Sequence, residues 1–261
     1  MDKAVRSTRP SYAAPALSKG LDVLELLGER GIPLTMKEVA DGLGRSKSEI
    51  FRMLITLQER DYIARDPETD AYSLTDRLFK LGLQTPKVRD LLAAAMPEMV
   101  RLAEETEQSP HLVVIHHGAT VVVAAIPGGA DMSFTLKLGY GRIATDATSG
   151  NVILAFQPPA IQERIFAESA ALAGKRVDLP DLRNTLESIR RRGYDVRDSR
   201  DFVGITDIAC PIFGVDNTAQ ASVILSYVNR HNHPNRQQEA LELLRAACNR
   251  ISEKLSAGAG K

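Results

Sequence analysis

The chain has 261 residues, of which 44% are apolar and 25% charged, and its 33 Lys plus Arg balance 33 Asp plus Glu. That length suits two modest domains or one large one, and zero net charge gives no support to indiscriminate polyanion binding, so any nucleic-acid binding must rest on local charge. The two cysteines, Cys210 and Cys248, have no metal or redox spacing, no apolar run is long enough to span a bilayer, and the N-terminus lacks the apolar core of a secretory signal; a reducing cytoplasm is expected, with no membrane, metal or cofactor.

Residues 1–16 are polar and Pro-interrupted, with Lys3, Arg6 and Arg9 against Asp2. This is the composition of a flexible basic arm, whose functional reading is contact with phosphate or a minor groove. Ser18 is expected to cap a first helix running to about residue 29, ended by Gly31 and Pro33. Thr35 and Glu38 then form a capping box for a short second helix with Val39 and Ala40 on its apolar side. Gly42-Leu43-Gly44 breaks that helix, and a second capping box, Ser46 to Glu49, opens the next.

In this third helix Ile50, Leu54 and Leu57 recur at i, i+4 and i+7, which is one buried face. Ser48 and Arg52 point the other way. A helix with small polar and basic groups at its exposed N-terminal end suits a major groove, where base edges meet side chains and phosphate meets amide ends. An ordinary amphipathic helix would show the same periodicity, and the downstream segment separates the two readings. Tyr62-Ile63-Ala64-Arg65, a turn-rich Asp66-Pro67-Glu68-Thr69-Asp70, and Ala71-Tyr72-Ser73-Leu74 read as a hairpin. Three helices followed by a hairpin make a winged helix, placed at residues 17–76. The residues expected on DNA are Ser46, Lys47, Ser48 and Arg52, with Arg45 and Arg65 on the backbone.

Residues 77–95 are expected to form a linker helix interrupted by Gly82 and Pro86, with the domain boundary near residues 81–89. Pro97 suits the first turn of a new helix to about Glu107. From residue 96 onward strands and helices alternate. Strands are expected at 111–116, 121–126, 134–138, 194–197, 206–213 and 221–228, and helices at 148–156, 161–168, 181–191 and 236–255. Antiparallel hairpins with segregated helices make an α+β domain.

The stretches ALSKGLDVLELL and LTMKEVADGLGRSKSEIFRMLITLQERDYIARDPETDAYSLTDRLFKLG resemble the IclR family of bacterial transcription regulators. The resemblance extends more loosely over nearly the whole chain. It implies an N-terminal winged helix-turn-helix, a linker helix that helps pair subunits, and a GAF-like antiparallel-sheet effector domain at 96–261. It also implies a sequence-specific regulator that reads a palindromic operator in double-stranded DNA as a homodimer or tetramer, under control of a small metabolite. Glu49 departs from the Ser-Thr common in the recognition helix. A glutamate there repels phosphate and can accept from a cytosine amino group, so an altered operator preference is expected.

In the second half, the loop from Gly139 to Asn151 matches a stretch that usually reads Gly-x-x-x-Pro-Leu-His-x-Thr-Ala-x-Gly-Lys, with Ile143, Thr145 and Asn151 replacing Pro, His and Lys. By the same resemblance, Asp207 and Ser226 fall on effector-contacting positions, Val228 replaces a second serine, and Thr145 and Arg142 join the site. A buried Asp207 would repel a carboxylate ligand unless a proton or a cation such as Arg142, Arg197 or Arg200 intervened. Asp207 would suit the hydroxyls of a sugar or polyol; organic acids and sugar acids remain in the candidate set.

Several other residues read as structural. Cys210 is out of phase with Asp207 on its strand, hence a small core residue on the opposite face. His116-His117 suits a solvated hairpin tip, and His231-Asn-His233 a polar turn with no third metal ligand nearby. Arg190-Arg191-Arg192 closes a helix, where cations favour the dipole. The competing function is a metabolic enzyme using the Asp207–Ser226 pocket, with the winged helix kept for protein contacts; no base–nucleophile spacing supports it. A non-specific DNA-coating protein is disfavoured by the charge balance.

Overall fold

The computed structural model describes residues 14–83, 85–129, 132–174, 178–229 and 236–258. The basic arm up to residue 13 and the His231–His233 pair lie outside them. The chain divides into two compact units between Pro86 and Lys87.

The first unit opens with α1 (Pro15–Arg30), then β1 (Leu34–Thr35), α2 (Met36–Gly42), α3 (Lys47–Glu59), the hairpin β2 (Ile63–Arg65) and β3 (Ala71–Leu74), and α4 (Arg77–Leu83). Helix α1 starts three residues before Ser18, with Pro15 in its first turn, where a missing N–H costs nothing. Thr35 and Glu38 cap α2 reciprocally, the Thr35 amide donating to Glu38 Oε2 at 2.7 Å. Gly44, at φ 60°, takes the left-handed turn that lets α3 cross back over α1. β1 adds a third strand that the sequence does not announce, in the antiparallel order β1-β3-β2. Val23, Leu27, Val39, Ile50, Leu54 and Ile63 fill the core of this unit.

The second unit begins with α5 (Pro86–Thr106) and β4 (Pro110–His116), β5 (Ala119–Ala125) and β6 (Gly141–Ile143). Three helices follow: α6 (Thr148–Ala155), α7 (Pro159–Ala173) and α8 (Leu179–Arg192). Then come β7 (Asp195–Asp198), β8 (Ile205–Phe213), β9 (Ala219–Val228) and α9 (Gln237–Gly258). The six strands form one antiparallel sheet in the order β6-β5-β4-β9-β8-β7. Helices α5 and α9 bury one face, with Leu102, Leu112, Ile208, Cys210, Leu225 and Leu244 in that layer. Helices α6, α7 and α8 cover the other, around Val113, Val152, Leu154, Ile189 and Ala209. This is an α+β architecture with a helix-turn-helix ahead of an antiparallel sheet.

Three local expectations are corrected. Pro97 does not start a helix; it lies inside α5, exposed, while Leu91, Ala94, Ala95, Met99 and Leu102 continue one buried face through it. The missing hydrogen bond falls on the solvated side, so packing prevails over the local penalty. Residues 77–95 fall in two helices, α4 and the first half of α5, rather than one. Residues 134–138 are not a strand: the place beside β5 belongs to Gly141–Ile143, whose Ile143 pairs with Ala119. Phe134 and Leu136 alternate inward as a strand would, but Leu136 N donates to the His111 ring instead of a neighbouring backbone.

Candidate functional site

In the first unit, α3 buries Ile50 and Leu54 and leaves Ser46, Lys47, Ser48 and Arg52 exposed. The capping box is formed: the Ser46 amide and hydroxyl donate to Glu49 Oε2 at 3.3 and 2.9 Å. The other oxygen of Glu49 takes the Lys19 ammonium of α1 at 2.6 Å. Lys19 first, then Ser46, hold the Glu49 carboxyl down at about 2. Both oxygens of Glu49 are thus engaged within its own unit.

The Ser46 and Ser48 hydroxyls lie 3.2 Å apart. Arg45 is drawn to Asp22 on α1 at 3.0 Å, and Arg65 in the wing pairs with Asp70 at 2.8 Å while lying over the Tyr72 ring. Lys47 and Arg52 have no ion pair among the described residues. Phe51 and Ile55 are half-exposed and, with Ser48 and Arg52, share one helix face by their i, i+3, i+4, i+7 spacing. The sequence carries a signal for Phe51: a large apolar residue out of phase with the core stripe.

In the second unit a partly open cavity lies between the sheet and the first turn of α6. Its apolar wall comes from Val113, Val122 and Ile224 on three adjacent strands. Its polar wall comes from Asp207 and Ser226, directly opposite each other across β8 and β9, and from Thr148 and Ser149 at the start of α6. Thr148 Oγ1 donates to Asp207 Oδ2 at 3.3 Å. Burial pushes the Asp207 carboxyl above the usual carboxylate range; Thr148, Arg142 and Arg197 pull it back, and Asp201 pushes it further. Two loops meet over the cavity: Phe134 and Phe202 pack edge to face with ring centroids 4.9 Å apart. Beside them Asp201 takes the Arg142 guanidinium at 2.7 Å and the Tyr140 hydroxyl at 3.4 Å.

Asp207, Ser226 and Arg142 thus share the cavity lining. Val228 and Thr145 lie outside it. Val228 pairs with Ile205 at the far end of β9, its amide bound to Gln108 Oε1 at 2.9 Å. Thr145 lines a separate recess on the α8 side of α6. Of the candidate counter-charges, Arg197 is tied to Asp195 and Arg200 lines that second recess. Cys210 packs on the opposite face of β8, its thiol pushed up by its neighbour Cys248 and by burial.

The model of the bacterial transcriptional regulator IclR C-terminal domain matches residues 84–253, and that of the IclR helix-turn-helix domain matches residues 16–67. The chain belongs to the IclR family. It is a DNA-binding transcriptional regulator, and its second unit is the family's effector half. It is 30% identical over 200 residues to the glycerol operon regulatory protein of Streptomyces coelicolor, covering 76% of this chain and 78% of that one. It is 25% identical over 245 residues to the regulator KdgR of Escherichia coli, covering 91% of each. Its fold matches that of an IclR homologue from Microbacterium hydrocarbonoxydans complexed with 4-hydroxybenzoate, at TM-score 0.76 and 19% identity, covering 93% of this chain and 99% of the other.

Sequence reasoning misses the cavity roles of Thr148, Tyr140, Asp201, Phe134 and Phe202. They come from loops and a helix start distant in the chain, and only the fold of this IclR-family domain gathers them. Tyr140 and Asp201 are 61 residues apart.

Proposed function

We propose that this regulator reads a palindromic operator as a homodimer, or as a pair of dimers, in the cytoplasm, and that it is not an enzyme. Ser46, Lys47, Ser48 and Arg52 face the DNA, Arg45 and Arg65 steady the backbone, and Phe51 offers an apolar contact for a thymine methyl group. The exposure of Lys47 and Arg52, with no acidic partner among the described residues, supports this.

The effector binds in the cavity walled by Asp207, Ser226 and Thr148, and it carries hydroxyl groups. The observation that carries this reading is the buried Asp207 standing opposite Ser226 while the one guanidinium in the lining, Arg142, is already paired to Asp201. A carboxylate accepts from hydroxyls and repels carboxylates. A polyol, sugar or sugar acid fits better than a bare organic acid. That a relative is named for the glycerol operon supports the class. Ligand contacts that differ between DNA-competent and incompetent arrangements shift the population between them.

Genomic-fragment selection at near-physiological salt, with excess competitor DNA, tests the first reading. A few enriched palindromes are expected, and Arg52→Ala weakens them by about 1–3 kcal/mol if it makes a bidentate base contact. No enrichment, with and without a metabolite mixture, would overturn it. Calorimetry tests the second: a hydroxylated ligand binds and Asp207→Ala abolishes it. Tight binding of a small keto acid, indifferent to Asp207→Ala, would sink the effector class.

A further inference from the structure

The effector cavity is closed over by a loop tip. Residues 199–204 join β7 to β8, and the Ser199 amide closes their base by donating to the Ile205 carbonyl at 2.9 Å. From this tip Asp201 reaches Arg142 and Tyr140, and Phe202 meets Phe134. The space left beneath is about 50 Å³, room for a few water molecules. A sugar, polyol or sugar acid is several times larger. One side of these contacts must therefore give way before such a ligand reaches Asp207.

The two sides are not equally fixed. Arg142 belongs to β6, and its amide and carbonyl both bond the Thr120 hydroxyl of β5, at 3.1 and 3.2 Å. The Tyr140 carbonyl accepts the Val122 amide of β5 at 2.9 Å. Asp201 and Phe202 stand in a bend outside the strands, and the next residue, Val203, is fully exposed. The guanidinium and the phenol are thus the anchored half of the contact, and the carboxylate is the movable half. Both donors converge on one oxygen, Asp201 Oδ2, at 2.7 Å from Arg142 and 3.4 Å from Tyr140. Two donors held to one point by the sheet make a carboxylate receptor, which Asp201 fills from within.

When the tip lifts, Arg142 loses its counter-charge. Its side chain is only 25% exposed, and the other carboxylate of the lining, Asp207, is held by Thr148. A neutral ligand would leave this guanidinium unpaired in a partly buried place, which is costly; a ligand acid restores the pair charge for charge. The closed cavity already seats a carboxylate against Arg142 with Asp207 in the same lining, so the fold accepts that repulsion at this point. We propose that Arg142 and Tyr140 form a specificity-determining subsite for an acidic group of the effector, with Asp201 as its internal stand-in. The effector is then a hydroxy acid. Its hydroxyls face Asp207, Ser226 and Thr148, and its carboxylate displaces Asp201, which frees the 199–204 tip and parts Phe202 from Phe134. This rests on the reading of the cavity as the effector site.

Asp201→Ala removes the stand-in from an exposed loop tip and leaves a carboxylate-sized space. Acetate should then raise the Tm of the full-length Asp201→Ala chain, measured against chloride and acetamide at matched ionic strength, and should leave the Asp201→Ala/Arg142→Gln double variant unmoved. Calorimetry with matched probes, glycerate against glycerol and gluconate against glucitol, reads the selectivity. At least one acid binds the parent chain more tightly than its neutral twin, and Asp201→Ala tightens the acid alone by about three- to tenfold, as expected for removal of a competing, partly exposed ion pair. An acetate response no larger in Asp201→Ala than in the double variant overturns the proposal, and this arm decides even when no probe of the panel binds. Equal gains for the acids and their neutral twins overturn it too. The hydroxyl reading fails separately: acid binding indifferent to Asp207→Asn would sink that end of the ligand while the acetate response stood.

Discussion

His111 should make the stability of this protein fall between pH 6.5 and about 4. It stands on β4 with no exposed surface, and its Nε2 accepts the Leu136 amide hydrogen at 2.9 Å. That bond requires a neutral ring. Burial pulls its pKa down from 6.5 to about 4, against a smaller upward pull from the Ile224 backbone. Above pH 6.5 neither the folded nor the unfolded ring holds the extra proton, and the full stability is present. Between 6.5 and 4 the unfolded chain binds a proton that the native ring refuses, so stability drains away as pH falls. The pKa difference corresponds to about 3 kcal/mol. Once the native ring is protonated, two N–H donors face each other and residues 134–138, which carry Phe134 and Leu136 over the cavity, lose their tether.

The assay is urea unfolding from pH 8 to 4.5 on the native chain and on His111→Phe, which fills the space and cannot titrate. Carboxylates contribute equally to both, so the difference isolates the histidine. The native chain should lose about 3 kcal/mol more than the variant over the window. Parallel pH profiles would refute the reasoning, as would a native-state imidazole titrating near its ordinary value by NMR.

Three further outcomes are expected. Glu49→Gln keeps an acceptor for Ser46 but frees Lys19, so operator binding should tighten and its log–log salt slope steepen by about 0.9 per new phosphate contact; an unchanged slope would mean that Lys19 stays off the DNA. Glu98 is 2% exposed and binds Arg250 and Lys254, each at 2.7 Å, across α5 and α9. Burial pushes its carboxyl up, but the two cations outweigh this and hold it below the usual range, so Glu98→Gln should lower the unfolding free energy by about 1–3 kcal/mol at neutral pH, measured by chemical denaturation, and the deficit should vanish as acid protonates the native carboxylate. Gly150 has no room for a methyl group, since a Cβ would run into the Ala144 carbonyl oxygen, so Gly150→Ala should cost about 1–3 kcal/mol or more and weaken effector binding by shifting the first turn of α6; a calorimetric profile equal to the parent would show that the loop yields freely.

Local chemistry is legible where the information is local. The capping boxes at Thr35 and Ser46, the Ile50–Leu54 stripe, the turn at Asp66–Asp70 and the opposed faces of Asp207 and Cys210 are set by residues within a few positions of one another. Periodicity and turn residues act over that range, so the winged helix and the order of strands and helices follow from the sequence. Local reading overreaches where a preference meets a stronger distant partner. Pro97 reads as a helix start, yet the continuous apolar face of α5 carries the helix through it. Residues 134–138 alternate like a strand, yet the His111 ring takes the Leu136 amide and the sheet edge goes to β6.

Which polar groups share a space is decided by packing. The family resemblance marks Asp207, Ser226 and Arg142 as candidate effector contacts, but it does not reveal that Val228 and Thr145 lie outside the same cavity. Nor does it reveal that Arg142 is already bound to Asp201. Charge neutralisation depends on distances between groups dozens of residues apart, and those distances exist only once the sheet closes its register and the helices pack on its face. The Thr145 hydroxyl and the Asn151 side-chain oxygen, buried with no hydrogen-bond partner among the described residues, belong to the same class. A missing hydrogen bond is a property of everything around an atom, and no stretch of chain announces it.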